Sequence, residues 1–114
     1  MTQVNGIAKQ LVQTQTDTIG PQVIYNSPLT GGGTIISAVT VSNGTLTDGQ
    51  FAIYLGASGV VPQNPIIPTR VIKAGRTDPA PEIIGQVMPP GSALWVENIS
   101  NSLLFTISGR ELNR

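Results

Sequence analysis

The side chains that could carry chemistry are few in this chain, and they are widely spaced. The six carboxylates are scattered, and the sequence contains neither Cys nor His. A zinc site of the usual kind, a disulfide framework, a cysteine nucleophile and a histidine-based triad are therefore excluded. Asp78 and Glu82 are four residues apart, but Pro79 and Pro81 prevent them from sharing a helical face. We predict that the protein is not an enzyme and has no catalytic residues.

Two turn-rich segments could in principle form ligand-binding loops. The glycines 31–33 precede a predicted strand and no Lys follows them, whereas a phosphate-binding loop follows a strand and opens a helix. Residues 45–49 contain a single Asp, which is too few oxygen ligands for calcium. The sequence therefore predicts no metal site and no cofactor.

The charge balance is unusual for a soluble domain. Six Lys and Arg balance six Asp and Glu, and charged residues make up 11% of the chain, against about 25% in a typical domain. Proteins that bind nucleic acids or anionic membranes need a positively charged surface. Because the net charge of this chain is zero, neither is a predicted partner. The start of the chain has no basic and apolar signal, and no apolar stretch approaches the ~20 residues that span a bilayer. We expect synthesis and folding in a cytoplasm.

The elements that must position any surface site are predicted to be strands. Stiff β-branched residues are abundant, with 13 Ile, 10 Val and 12 Thr, and 13 Gly and nine Pro interrupt the chain too often for long helices. Six strands are predicted at 34–42, 50–55, 66–73, 82–88, 92–98 and 103–109, with a further one at 22–25. Their spacing predicts an all-β fold, an antiparallel β-sandwich or jelly-roll of about 6–8 strands.

Alternation along the strands predicts which side chains face the core. In 34–42, Ile35, Val39 and Val41 are predicted on one face and Ile36 and Ala38 on the other. Shared inward faces are also predicted for Phe51, Ile53 and Leu55, for Leu94 and Val96, and for Leu103, Phe105 and Ile107.

The glycosylation sequons at Asn43 and Asn98 are interpreted as turn chemistry.

The first eighteen residues differ from the rest of the chain. We divide it into an N-terminal arm, 1–18, and a β-sandwich domain, 19–114. Apolar residues at helical spacing favour a short helix in the arm, whereas 13–16 favour an extended arm or an added strand. A frayed terminus is the alternative to an arm that contacts a neighbouring subunit. The candidate contact residues in the arm are Val4, Ile7, Leu11 and Val12.

Four further residues are candidates for contacts with another subunit or a capsid. Arg70 and Arg76 belong to the densest positive cluster, which could bind an acidic patch or protect an edge strand. Trp95 and Tyr54 lie on the strand faces opposite the predicted core. An exposed Trp could anchor an interface or stack on a sugar, and a Trp buried in the sandwich is the alternative.

Two stretches resemble a pattern found in small virion structural proteins of tailed bacteriophages. In 34–55, an Ile- and Val-rich strand leads through an Asn/Gly turn into Phe51-Ala52-Ile53-Tyr54-Leu55. In 89–111, Pro89-Pro90-Gly91 precedes a strand, and a second strand ends in Ser108-Gly109-Arg110-Glu111. The resemblance covers about the last eighty residues, and the Pro-rich segment 60–68 and the polar N-terminal arm depart from the pattern.

The resemblance implies a β-sandwich, often homotrimeric, that decorates a capsid surface or occupies a head–tail or tail position. We therefore expect a capsid decoration, or cement, protein that stabilises a tailed-phage head through contacts between subunits. Its partners would be the major capsid protein and copies of itself as a homotrimer, and its location the capsid surface of the virion. The alternatives are a tail or neck adaptor, a fibre head, or a carbohydrate-binding module that uses Trp95 and Tyr54.

Overall fold

The computed structural model describes residues 8–16, 19–57, 59–99 and 102–112, and these residues form strands joined by turns. In this part of the chain there is one short 3₁₀ helix, at Pro81–Ile83. No described helix is long and apolar enough to cross a membrane. The strands are β1 (Ala8–Thr16), β2 (Gly20–Asn26), β3 (Thr34–Ser42), β4 (Gly49–Gly56), β5 (Ile67–Ile72), β6 (Thr77–Asp78), β7 (Val87–Met88), β8 (Ala93–Asn98) and β9 (Leu103–Glu111).

The strands form two antiparallel sheets whose order follows a nested winding. Sheet 1 has the order β1-β9-β3-β6, with β7 also paired to β3, and sheet 2 has the order β2-β8-β4-β5. The first strand thus pairs with the last, the second with the second-last, and β4 with β5 in the middle. This winding of two packed sheets is a jelly-roll. The predicted all-β sandwich or jelly-roll is confirmed, and Ala8–Thr16 within the first eighteen residues is a strand of sheet 1.

The core lies between the two sheets and is lined by the alternating residues of their inner faces. Phe51 from sheet 2 and Phe105 from sheet 1 meet edge to face, with ring centroids 6.2 Å apart. Such aromatic pairs add about 0.5–1.5 kcal/mol to the burial of their area. Of the predicted inward residues, seven are buried and Leu55 is half-buried: Phe51, Ile53, Leu94, Val96, Leu103, Phe105 and Ile107.

The predicted faces of β3 are wrong at its beginning. Ile36, Val39 and Val41 are buried together, while Ile35 lies on the outer face. The register against β9 shifts between Ile36 and Ala38, which marks a β-bulge. Because a bulge adds one residue, it reverses the alternation that simple counting assumes.

The predicted strand 82–88 is also wrong over most of its length. Pro81 opens the 3₁₀ helix, and Ile84 N donates to Pro81 O. Gly85 has a φ of 87°, so the chain turns sharply there and only Val87–Met88 pairs with β3. The Pro and Gly that bracket the apolar residues favour a turn over a strand.

Candidate functional site

The outer face of sheet 1 is a surface that the described strands leave uncovered. Three cross-strand rows form it, each with one residue from β1, β9 and β3. Every member is exposed or half-buried, and none is charged. We call this surface the open face: Gln10, Ser108 and Ala38; Gln13, Thr106 and Thr40; Gln15, Leu104 and Ser42.

The open face has an apolar border at one end and a shallow depression at the other. At the first end, Ile35 pairs with Val87 and Arg110, and the side chains of Val87 and Ile84 are 58% and 48% exposed. At the second end, a depression of about 300 Å³ is lined by Gln15, Ser42, Gly44, Thr45, Ser102 and Leu104. The surface can therefore offer apolar and hydroxyl contacts to a partner at little cost in charge desolvation.

The outer face of sheet 2, by contrast, is covered around Trp95 by the chain itself. Trp95 is 8% exposed, and its Nε1 donates to the carbonyl of Ala57 at 2.9 Å. The connection after β4 returns over the sheet, so that a Cβ on Gly56 would lie 2.7 Å from Pro62 Cγ. Of the two alternatives for Trp95, exposed or buried, the structure shows the buried one.

Tyr54 lies beside Trp95 on the same face and is half-buried. Its hydroxyl donates to Glu97 Oε1 at 2.8 Å, and this hydrogen bond raises the pKa of Tyr54. With Trp95 under the returning chain and the Tyr54 hydroxyl engaged, the pair presents no open aromatic platform for a sugar.

Arg70 closes the core between β5 and β6. Its guanidinium lies 5.6 Å from the Phe51 ring centroid and donates to both carboxylate oxygens of Asp78, at 3.0 and 2.8 Å. It also pairs with Glu82, and that hydrogen bond is the chief cause of its raised pKa. Arg70 is thus engaged within the domain, whereas the side chain of Arg76 is exposed.

We expect Arg70→Met to lower the free energy of unfolding by about 2 kcal/mol, because Asp78 would lose its bidentate partner in a half-buried position; this value is discounted for the 30% exposure of Arg70. Urea unfolding measures the change. The matched control is Lys73→Met, because Lys73 lies 3.8 Å from Asp48 in an exposed pair, and its expected effect is below about 0.5 kcal/mol. Equal effects in the two variants would contradict the role of Arg70 in closing the core.

A second polar cluster closes the opposite side of the core, and sequence reasoning missed it. The Tyr25 hydroxyl donates to Glu111 and lies 3.1 Å from Thr34 Oγ1, which contacts Ser27 Oγ at 2.8 Å. Lys9 pairs with Glu111 at 2.7 Å and is the chief cause of the lowered pKa of this carboxyl. The one available signal was Glu111 in the Ser-Gly-x-Glu segment.

We expect the cluster to make stability fall with rising pH in the alkaline range. Burial, and then the bond to Glu111, raises the pKa of Tyr25 from 10.0 to about 12. The neutral phenol is favoured in the folded state, so its contribution is complete below pH 10 and is lost as the pH rises towards 12. Urea unfolding over this range should show a shallower decline for Tyr25→Phe than for the wild type, and parallel curves would contradict the assignment.

The predicted contacts of the arm are only partly within the described residues. Leu11 is the extra residue of a bulge in β1, and Val12 faces Ile107; both are half-buried and pack against the core. Val4 and Ile7 lie outside the described residues. Leu11 and Val12 therefore contribute to this domain's own core.

A second cavity, of about 460 Å³, lies beside the β2–β3 connection. It is lined by Val23, Asn26, Ser27, Leu29 and Gly91, and Leu29 is 86% exposed. Over the described ranges, no group of three Asp or Glu could hold a metal ion. We take the open face as the candidate site, because its three rows of residues are exposed or half-buried.

Comparisons of this chain with protein-family models, with curated proteins and with solved structures find no match.

Proposed function

We propose that this protein is a structural protein of a tailed-phage virion, a capsid decoration protein that binds the head through its open face. The observation that carries the proposal is the contrast between the two sheets. Sheet 2 is covered by its own chain at Trp95, whereas in the middle row of the open face of sheet 1 Thr40 is exposed and Thr106 is half-buried.

The absence of charge from the nine residues of the open face suits a protein–protein contact. The centres of interfaces are depleted of charged residues, and here charge enters only at the border, with Arg110. The ionic groups of Arg70 and Glu111 form pairs within the domain instead. Binding would therefore depend on shape and on apolar and hydroxyl contacts, with little electrostatic steering.

The winding of the chain supports the proposal more weakly. Jelly-rolls occur in viral capsid proteins, but also in lectins and cupins, so the fold by itself does not determine function. The sugar-binding alternative loses its proposed platform, since Trp95 is buried. The major capsid protein and further copies of this chain are the partners that the proposal names.

The test is binding to empty, expanded heads of the phage whose genome carries this gene. We expect saturable binding and a higher melting temperature of the heads. Thr40→Arg places a charge in the middle row of the open face and should weaken binding by about tenfold or more, which corresponds to at least about 1.4 kcal/mol. No binding of the wild type at saturation would refute the decoration role.

The matched control is Thr69→Arg, which changes another exposed strand Thr, on β5, away from the open face. We expect it to bind heads as the wild type does. Equal loss in both variants would show that the open face is not the contact surface. Counting copies per particle separates decoration from a tail or neck position, because hundreds of copies fit a head surface and a handful fit the tail.

A further inference from the structure

The edges of the two sheets differ in how they are protected from pairing with another chain. Unpaired strand edges invite a further strand, and proteins block them with Pro, charge, bulges or short strands. In the described part of the chain, β2 and β5 form the edges of sheet 2, and β1 and the short strands β6 and β7 form those of sheet 1.

Three of these edges carry blocking features. The β2 edge contains Pro21 and a register shift between Val23 and Tyr25. The β5 edge contains Pro68 and is followed by Lys73. The remaining edge of sheet 1 consists of two strands of two residues each, β6 and β7, and Pro89 follows β7.

The β1 edge is blocked only at its beginning. Lys9 and the bulge at Leu11 protect the first part, but Val12–Thr16 then pairs with β9 in unbroken register. This run, Val-Gln-Thr-Gln-Thr, contains no Pro, Gly or charge. Its free edge ends at Thr16, whose carbonyl accepts a hydrogen bond from Asn98 Nδ2 at 2.8 Å.

We propose that the β1 edge binds the same edge of a second copy, antiparallel and centred on Thr14. The inference is independent of the proposed function. Among the described strands β1 has the one unblocked edge, so within this chain the matching surface is the same edge of another copy, and self-matching contacts form twofold dimers. A threefold ring would need a second, different edge, and the described strands offer only blocked ones.

The side chains of the run suit this pairing. Val12, Thr14 and Thr16 lie on the inner face, and Gln13 and Gln15 lie on the outer face. Antiparallel pairing about Thr14 places Gln13 of one copy opposite Gln15 of the other on one face. Their Nε2 atoms donate to Thr106 Oγ1 and Ser102 Oγ of their own chain, and the second N–H and the carbonyl oxygen of each amide can bond across the two copies. The two sheets would become one, and the open faces of the two copies would become continuous.

The test is the mass of the purified full chain by analytical ultracentrifugation, without any capsid. We expect twice the 11.9 kDa of one chain. The double variant Gln13→Lys, Gln15→Lys puts like charges opposite each other and should shift the protein to monomers. Gln10→Lys is the matched control, an exposed Gln of β1 before the bulge, and it should remain dimeric.

A complementary mixture keeps the result independent of folding defects. Mixing the Lys double variant with Gln13→Glu, Gln15→Glu should restore dimers, because each Lys then meets a Glu. A monomeric or trimeric wild type would overturn the proposal. So would a Lys double variant that stays dimeric, or a mixture of folded monomers that fails to pair.

Discussion

Gly109→Ala is expected to be among the most destabilising single substitutions in this protein, costing about 3 kcal/mol or more. A Cβ at this position would lie 2.3 Å from the carbonyl oxygen of Ile35 and 3.1 Å from Leu11 Cδ1. Gly109 is not among the described residues with a positive φ, so the constraint is space alone. The contact that must give is backbone, which cannot turn aside as a flexible side chain could.

The position of Gly109 in the sheet increases the expected cost. Strand β9 lies between β1 and β3, so moving it away from Ile35 disturbs the ladders on both sides. The bulges at Leu11 and after Ile36 lie on the two sides of β9 next to this position, where Ile35 O and Leu11 Cδ1 approach Gly109. A loss of about 3 kcal/mol is a large part of the 5–15 kcal/mol that stabilises a typical domain.

Urea unfolding of Gly109→Ala beside Gly59→Ala tests this expectation. A Cβ on Gly59 would meet nothing within 4 Å, and its φ is ordinary, so the control should change stability by less than about 0.5 kcal/mol. An ordinary surface substitution changes the free energy of unfolding by up to about 0.5 kcal/mol. If Gly109→Ala lowered it by less than about 1 kcal/mol, little more than this, β9 and β3 would be able to separate at little cost.

Local patterns predicted the strands well where period-two alternation ended at turn residues. The strands 34–42 and 103–109 are found with their expected bounds or slightly longer, and Leu103, Phe105 and Ile107 are buried together. Gly109 shows the limit of such patterns. This position must be Gly because its backbone lies close to that of Ile35, which is more than seventy residues earlier in the sequence. The close approach depends on the register between strands, which local patterns do not contain.

The same limit explains what was missed around the surfaces. Alternation correctly placed Trp95 opposite Leu94 and Val96, but its burial comes from the return of the chain at Ala57. Arg70 was interpreted from its neighbours in sequence, whereas its partners are Asp78, on an edge of sheet 1, and Glu82, in the 3₁₀ helix. The many Thr, Ser and Gln residues predict a polar surface with little charge, but they do not predict which sheet carries it.

Asn43 is a residue whose local role was expected from sequence and whose wider role was not. The sequence predicted a turn at Asn43-Gly44, and Asn43 Oδ1 accepts hydrogen bonds from Thr45 N at 3.0 Å and from Thr45 Oγ1 at 2.7 Å. In addition, Asn43 Nδ2 donates to Thr47 O at 2.9 Å and to Ile72 O at 3.1 Å. The side chain therefore joins the β3–β4 connection to the end of β5.

We expect Asn43→Ala to lower the free energy of unfolding by about 3 kcal/mol. Asn43 is 1% exposed, and leaving buried polar partners unsatisfied costs about 1–3 kcal/mol for each group. Because Ile72 is the last residue of β5, amide exchange should also accelerate in β5 more than in β9. Asn64→Ala, at an exposed loop position, is the matched control and should leave both measurements unchanged. Uniform acceleration in β5 and β9 would mean that Asn43 supports the whole sandwich and does not specifically tie β5 to the turn.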